Sequence, residues 1–261
     1  MTYQSDFHIH TLYLKCANET MTVPAILDGL RANGVKKFGI SDHLNTRDKL
    51  PEHFKIKADL DALPERADGM ECYFGVELNF LGCDGEFAYD EGVRDQAGFQ
   101  YAIGGIHGTY IEEYDLTKLI DTQHRHHLLT CRNPLVDALV HPWWFGKGEF
   151  DNKGFPWFND MSVVPEDLSR ELGRVAAETG TAIEINSAAI FYCPNYSDRF
   201  KEQYVDYLAL LNDEGPMFSL GSDAHSTNHF KGWHLAVEAA KRAGIAEERI
   251  WTPACEPLKV V

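Results

Sequence analysis

The sequence predicts an α/β fold in which βα units follow one another around a parallel sheet. Seven short apolar runs are spaced by about one βαβ unit each, and several connecting segments show the apolar spacing of amphipathic helices. Nearly every apolar run ends in His, Asp or Glu. Seven such units favour a closed barrel, although an open doubly wound sheet would give the same periodicity.

The predicted strands are short and end in or close to polar residues. They are FHIH (7–10), FGISDH (38–43), YFGVEL (73–78), AIGGIH (102–107), ALVH (138–141), AIEIN (182–186) and FSLGSDAH (218–225). The carboxyl ends of the strands in a parallel barrel converge on one rim, where active sites of this architecture are built. Residues far apart in the sequence would therefore meet in one pocket.

Three connecting segments carry the start and stop signals of helices. Thr22 is suited to cap a helix that stops at Gly34. A second helix has Pro165 in its first turn and stops at Gly180, and a third stops at Gly215. Their apolar faces are predicted to be Ile26, Leu27 and Leu30, then Leu168, Leu172, Val175 and Ala176, then Val205, Leu208 and Leu211.

Composition narrows the class of protein. The 261 residues are 44% apolar and contain no linker-like stretch, so we expect one domain spanning 1–261. The net charge of −16 and the lack of a basic run argue against binding to nucleic acid. The chain has no run of about 20 apolar residues, and its first residues, MTYQSDFHIH, do not resemble a signal peptide, so we expect a cytoplasmic protein without membrane contact. The six scattered cysteines are expected to be reduced.

Metal-ligand residue types are concentrated at the predicted strand ends. His8 and His10 are two residues apart on a strand, so both side chains point to one side and can bind one ion. The later strand ends carry Asp42, His43, Glu77, His107, His141, Asp223 and His225. One such histidine alone is more often a hydrogen-bonded structural residue. Six strand ends of this kind together would be costly to desolvate unless divalent cations compensate them.

The ordered pattern HxH, DH, E, H, H, DxH resembles the PHP (polymerase and histidinol phosphatase) family of metal-dependent phosphoesterases. The match extends from Asp6 to about His225, nearly the whole chain. The resemblance implies a distorted (β/α)7 barrel, similar to a TIM barrel, with its metal site at the C-terminal ends of the strands. It also implies a cluster of two to three divalent ions, for which zinc, manganese and iron are the candidates.

The resemblance further implies a division of ligands among three ions. The implied sets are His8, His10, Glu77 and Asp223 for the first, Glu77, His107 and His141 for the second, and His43 with His225 for the third. Glu77 would bridge two ions. Cys16 stands where the family often has a further His or an Asp, and a thiolate can bind zinc or iron. A buried cysteine without a function is the alternative at this position.

The implied reaction is hydrolysis of a phosphate ester on a small molecule, possible substrates including one like histidinol phosphate. Two ions about 4 Å apart lower the pKa of a bridging water, and the resulting hydroxide attacks phosphorus. Glu77, Asp223 and His225 are the predicted catalytic residues. The alternatives are a phosphodiesterase acting on nucleotides or short oligonucleotides, an amidohydrolase-type C–N or lactone hydrolase, and a metal-binding module without activity. An amidohydrolase pattern would place a bridging Lys at a mid-barrel strand, so it fits less well.

Several further residues receive weaker predictions. Asp6 and Asp42 are expected to accept hydrogen bonds from the imidazoles. Glu184 and Asn186 are expected inside the barrel or at its rim and not as ligands. The segment 116–129 is a predicted helix, on which His124, His126 and His127 are expected to face solvent. The aromatic segment after His141 is expected to lie over the rim as a substrate wall or a packed cap.

Overall fold

A computed structural model of the chain describes residues 3–66, 69–82 and 84–261. Seven parallel strands form a nearly closed barrel in the order β1-β2-β4-β5-β6-β7-β8, which confirms the predicted fold class. The strands are β1 (Ser5–Asp6), β2 (Lys37–Ile40), β3 (His43–Leu44), β4 (Glu71–Asn79), β5 (Tyr101–Gly105), β6 (Ala138–Leu139), β7 (Ala182–Asn186), β8 (Phe218–Gly221) and β9 (Lys259–Val260). The two strands outside this order pair with β4: β3 runs parallel to it and β9 antiparallel.

The first and last barrel strands meet, which excludes the open doubly wound sheet. The amide of Phe7 donates to the carbonyl of Leu220 at 3.0 Å, and the amide of Asp223 donates to the carbonyl of His8 at 2.8 Å. Regular pairing within β1 covers only two residues, so this edge of the barrel is irregular. The irregular stretch carries the HxH pattern, whose backbone is joined to the last strand by these bonds.

Within the described residues, eight α-helices follow the strands, and the three that the sequence marked most clearly are present. The helices are α1 (Val23–Ala32), α2 (Leu50–Asp61), α3 (Glu91–Ala97), α4 (Leu116–Arg132), α5 (Lys147–Lys153), α6 (Glu166–Thr179), α7 (Asp198–Glu214) and α8 (Trp233–Arg242). Thr22 caps α1 by accepting from the amide of Ala25. Gly180 and Gly215 end α6 and α7 with φ values of 77° and 95°, a left-handed conformation that favours glycine.

Bulky side chains fill the inside of the barrel below the rim. This inner cluster consists of Phe7, Tyr73, Tyr101, Ile103, Ala138, Val140 and Ala182. The Tyr101 hydroxyl donates to the carbonyl of Phe7 at 2.9 Å, which satisfies the polar group of this buried ring. A larger apolar layer lies between the strands and the surrounding helices. The barrel is therefore a packed core, and the open end is where its polar side chains collect.

The prediction that the histidines of α4 face solvent is wrong. His126 and His127 have no exposed surface, and His124 is only 7% exposed. The helix is covered on more than one face: the His127 ring packs on Trp143 at 5.0 Å, whereas the His126 ring packs on Phe80 at 5.0 Å. Consecutive residues can therefore both be buried, which the assumption of a single apolar face did not allow.

Burial of His127 predicts a pH dependence of stability. Loss of water, with His124, His126 and His141 nearby, lowers the pKa of His127 well below its usual 6.5. Below pH 6.5 the unfolded chain takes up a proton that the folded chain does not, so the stability that is complete above pH 6.5 falls as the pH drops. We expect His127 to contribute a slope of about 1.4 kcal/mol per pH unit there.

Urea unfolding of the chelator-treated protein from about pH 5 to about pH 7.5 measures this slope. His127→Leu should flatten it, and His234→Leu, at an exposed position of α8, should leave it unchanged. Equal slopes in the two variants would contradict the assignment to His127.

No helix within the described ranges is long and apolar enough to cross a membrane. The five cysteines that the structure describes have free thiols. Cys83 lies outside the described residues.

Candidate metal centre

The structure brings together all nine residues that the sequence predicted as metal ligands. Their donor atoms form four overlapping groups, and within each group every donor lies within 4.8 Å of the others. The groups are His8, His10 and Asp223; His8, Glu77 and His141; His43, Glu77 and His107; and His10, Cys16, His43 and His225. Six imidazoles, two carboxylates and one thiol therefore share one end of the barrel.

Glu77 lies at the centre of this arrangement on β4 and is fully buried. Its Oε1 atom lies 3.1 Å from His107 Nε2 and 3.2 Å from His141 Nε2. Both rings pack over Gly105, where a Cβ atom would lie 2.7 Å from His141 Cε1 and 2.9 Å from His107 Cε1. Glycine at the end of β5 therefore leaves the space that these two imidazoles occupy.

The other oxygen of Glu77 faces a different set of donors. Glu77 Oε2 lies 3.3 Å from His8 Nε2 and 3.4 Å from His10 Nε2, and these two nitrogens are 3.0 Å apart. Asp223 Oδ1 lies 3.5 Å from His8 Nε2 and 3.3 Å from His10 Nε2. Ligand atoms placed about 2.1 Å from one ion, at tetrahedral or octahedral angles, are separated by about 3.0 to 3.4 Å. The distances of His8 Nε2 and His10 Nε2 from each other and from each of the two carboxylate oxygens are close to this spacing.

A looser set of donors lies beside this shell. Cys16 Sγ is 3.8 Å from His10 Nδ1. Register between β3 and β4 places His43 opposite Glu77, and His43 Nδ1 lies 2.8 Å from Glu77 Oε2. His225 Nδ1 is 3.3 Å from Asp223 Oδ1. Cys16 thus joins histidines from three separate stretches of the chain.

Electrostatics keep both carboxylates ionised. Burial alone raises the pKa of Glu77, but the neighbouring His43, His8 and His107 hold it well below its usual value. Burial likewise raises the pKa of Asp223, and His8 and His10 outweigh it and hold the value low. Burial lowers the pKa of His107 to about 4, so that ring is neutral and its lone pair is free for a ligand.

The residues fit a set of divalent metal ions. Glu77 Oε2 is buried and, among the described residues, forms no hydrogen bond of acceptable geometry. A buried anionic oxygen is costly unless a cation compensates it. Imidazole, carboxylate and thiolate donors together suit zinc, manganese or iron better than the all-oxygen shells of magnesium or calcium. The protein can therefore hold metal ions at this end of the barrel.

Glu184 on β7 connects two parts of the centre without facing it as a ligand. Its Oε1 accepts from His8 Nδ1 at 2.8 Å, and its Oε2 accepts from the backbone amide of His141 at 2.8 Å. Asn186 Nδ2 donates to the same Oε2 at 2.9 Å. The close approach requires Gly221, because a Cβ there would lie 1.9 Å from Glu184 Oε1. These bonds hold the His8 proton on Nδ1 and leave Nε2 free for a metal.

The two aspartates expected to orient imidazoles have other partners. The prediction for Asp6 is wrong: its carboxylate accepts from the backbone amides of Ser222 at 2.9 Å and His8 at 3.4 Å. Asp42 accepts from the Thr11 amide at 3.0 Å and the Thr11 hydroxyl at 2.7 Å, and its distance of 3.9 Å from His10 Nδ1 is too long for a hydrogen bond. Irregular backbone at the barrel edge leaves amides without strand partners, and these carboxylates satisfy them.

The aromatic segment after His141 is mainly a packed cap. Trp143, Phe145 and Phe158 are buried, and the Phe158 ring packs on each of the other two. Trp144, which is half-buried like Phe155 and Trp157, is the exception because its ring lies 5.2 Å from His141 and 5.8 Å from His107. Trp144 is therefore the side chain of this segment that borders the metal centre.

Comparisons with known proteins bear on both the fold and the reaction. No family model matches the chain. A probable phosphatase of Proteus mirabilis is 24% identical over 253 residues, which cover 95% of this chain and 89% of the relative. A probable phosphatase of Thermoanaerobacter sp. (strain X514) is 27% identical over 248 residues, which cover 94% and 88%. The chain is thus similar over nearly its whole length to proteins named as phosphatases.

A solved structure shares the fold. It is named a "putative histidinol phosphatase" from Listeria monocytogenes, and its TM-score is 0.53 with 14% sequence identity. The alignment covers 86% of this chain and 96% of that structure. At this identity the likeness concerns the barrel and not the reaction.

Proposed function

We propose that this chain is a metal-dependent phosphoesterase of the PHP type that hydrolyses a phosphate ester of a small molecule, with residues 1–261 acting as one domain. The observation that carries the proposal is Glu77, whose two oxygens face two separate ligand sets. One carboxylate shared in this way suits two adjacent ions. The names of the similar proteins support phosphate ester hydrolysis as the reaction.

In this proposal the centre binds two or three ions of zinc, manganese or iron. When bound, the ions make hydroxide available from water near neutral pH and stabilise negative charge on the phosphate oxygens. His8, His10 and Asp223 hold the first position with Glu77, and His107 and His141 hold the second. Cys16, His43 and His225 supply the third.

With the third position empty, His225 is proposed to give the proton on its Nε2 to the leaving group, and Asp223 to orient the ring; with an ion bound there, His225 would be a ligand and the proton would come from water. His225 Nδ1 lies 3.3 Å from Asp223 Oδ1, and the His225 side chain is 30% exposed at the rim, whereas Asp223 is 12% exposed. A substrate arriving from solvent reaches His225 first, and Asp223 orients the ring by accepting from Nδ1. His229 restrains the backbone of His225, because its Nδ1 accepts from the amide of His225 at 3.2 Å.

A panel of substrates and metals tests the proposal. The purified protein, reconstituted with Mn, Fe or Zn, is assayed on p-nitrophenyl phosphate, bis-p-nitrophenyl phosphate and histidinol phosphate. We expect metal-dependent release of phosphate from the monoesters. Faster cleavage of the diester would instead favour a phosphodiesterase, and metal-loaded protein inactive on all three would contradict the proposal.

The variant His8→Ala should lose bound metal together with at least about 100-fold in activity, since it removes a ligand of the first position. The matched control is His234→Ala, because His234 is exposed on α8. It should retain both metal and activity. Equal loss in the two variants would show that the effect is not specific to the centre.

A further inference from the structure

We infer that Cys16 makes the third position a mixed thiolate and imidazole site, which takes a thiophilic divalent ion such as zinc or iron(II) in preference to manganese or magnesium. This inference rests on the proposed function, since it concerns the selectivity of one position in the same centre. According to this inference, the third position prefers different metal ions from the other two positions of the cluster.

Geometry places the sulfur among imidazoles and not in the core. Cys16 Sγ lies 3.8 Å from His10 Nδ1, and its donor group includes His43 and His225 within 4.8 Å. Cys72 and Cys131, in contrast, are buried in the apolar layer between strands and helices. Cys16 itself is exposed, so an ion can reach it from solvent.

The local backbone directs Cys16 toward these histidines. A short 3-10 helix covers Leu12–Leu14, capped by Thr11, and Lys15 follows with φ of 60°. A left-handed residue other than glycine reverses the chain at some energetic cost. The amide of Asn18 then donates to the carbonyl of His225 at 2.9 Å, which joins this loop to the last strand end. The turn therefore brings Cys16, the residue after Lys15, back to the rim.

Donor chemistry then separates the third position from the other two. The first and second ligand sets contain only imidazole nitrogen and carboxylate oxygen, which accept manganese, iron and zinc with the affinity expected of ordinary nitrogen and oxygen sites. A thiolate is a soft donor and favours zinc and iron over the harder manganese and magnesium. Among the described residues only this position of the centre has such a donor, so the additional selectivity for thiophilic ions should be confined to it.

Cobalt(II) tests the inference, because a cobalt–thiolate bond gives an intense near-ultraviolet charge-transfer band that nitrogen and oxygen ligands do not give. Metal-free full-length protein is titrated with cobalt(II) while absorbance and bound cobalt are recorded. We expect the band to appear in the wild type and to be lost in Cys16→Ser. The matched control Cys255→Ser changes another exposed cysteine and should keep the band.

The outcomes separate this inference from the proposed function. Two or more bound cobalt ions without a thiolate band, or a band that persists in Cys16→Ser, would overturn the inference and leave the proposed function intact. Fewer than two bound ions in the wild type would overturn both. The variant Cys16→Asp gives a second measure: after equilibration with a zinc and manganese mixture, its zinc-to-manganese ratio should fall by about 10-fold or more at one position. An unchanged ratio would also count against the inference.

Discussion

Replacing Glu77 by glutamine is expected to reduce phosphatase activity by at least about 1000-fold and to lower the metal content by at least one ion per chain. The amide keeps the size of the side chain but lacks the negative charge, and its nitrogen is not a metal ligand. In either orientation the amide nitrogen replaces one of the two oxygens of Glu77. The ligand set that faces that oxygen therefore loses one donor. Several kcal/mol of transition-state stabilisation depend on the affected ions.

Metal analysis after reconstitution and phosphate release are the two measurements. Glu71→Gln is the matched control, because Glu71 lies at the opposite end of the same strand and pairs with Lys37 at 2.9 Å near the surface. It should retain both metal and activity. A Glu77→Gln protein with full metal content and activity would remove the basis for a carboxylate shared between ions.

The sequence predicted the barrel and the clustering of ligands because both depend on local patterns. Alternating apolar runs and helical stripes identify βα units, and parallel strands in a barrel bring their carboxyl ends together. Glu77 lies next to His43 because of the strand register. The sequence already indicated this, since it placed both residues at strand ends. Geometry of this kind is fixed by the fold class and needs no knowledge of side-chain packing.

What the sequence missed depends on contacts between distant segments. His127 is buried because α4 meets the segment that carries Trp143, and no periodicity in α4 reveals that second neighbour. Asp6 accepts from the amide of Ser222, more than two hundred residues away. Glu184 was expected only as an interior or rim group, yet it holds both His8 and the backbone of His141. The one available signal was the placement of Glu184 and Asn186 on the same side of one strand end.

Backbone strain coincides with the centre. His141 has φ of 32° and Asp223 has φ of 50°, a region that residues other than glycine avoid at a cost of about 1 to 3 kcal/mol each. Such conformations persist where surrounding contacts over-determine them. Glu184 provides one such contact through the His141 amide, and Asn186 Nδ2 provides another by donating to Asp223 Oδ2 at 3.3 Å. The buried polar residues of β7 therefore hold two strained candidate ligands, which follow the strands on either side of β7.

Glu184→Gln should consequently weaken metal binding although Glu184 is not among the proposed ligands. Three N–H groups point at the carboxylate: His8 Nδ1 at Oε1, and the His141 amide and Asn186 Nδ2 at Oε2. A glutamine that keeps its oxygen toward the latter two presents its NH2 group to His8. Nδ1 of His8 must then accept, which moves the proton to Nε2 and removes the lone pair that faces Glu77 and Asp223.

We expect the affinity of the first position to fall by about 10- to 100-fold, as for other changes to groups that orient a histidine ligand. Competition with a chelator of known affinity measures the loss, and unfolding by urea shows that the variant is folded. The matched control is Asp137→Asn, because Asp137 is a half-buried carboxylate that accepts from the amide of Ala102 at 2.8 Å at the start of β5. It should change stability but not metal affinity. Wild-type affinity in Glu184→Gln would show that the protein fixes the His8 proton by other means, and a loss of equal size in Asp137→Asn would point to general destabilisation.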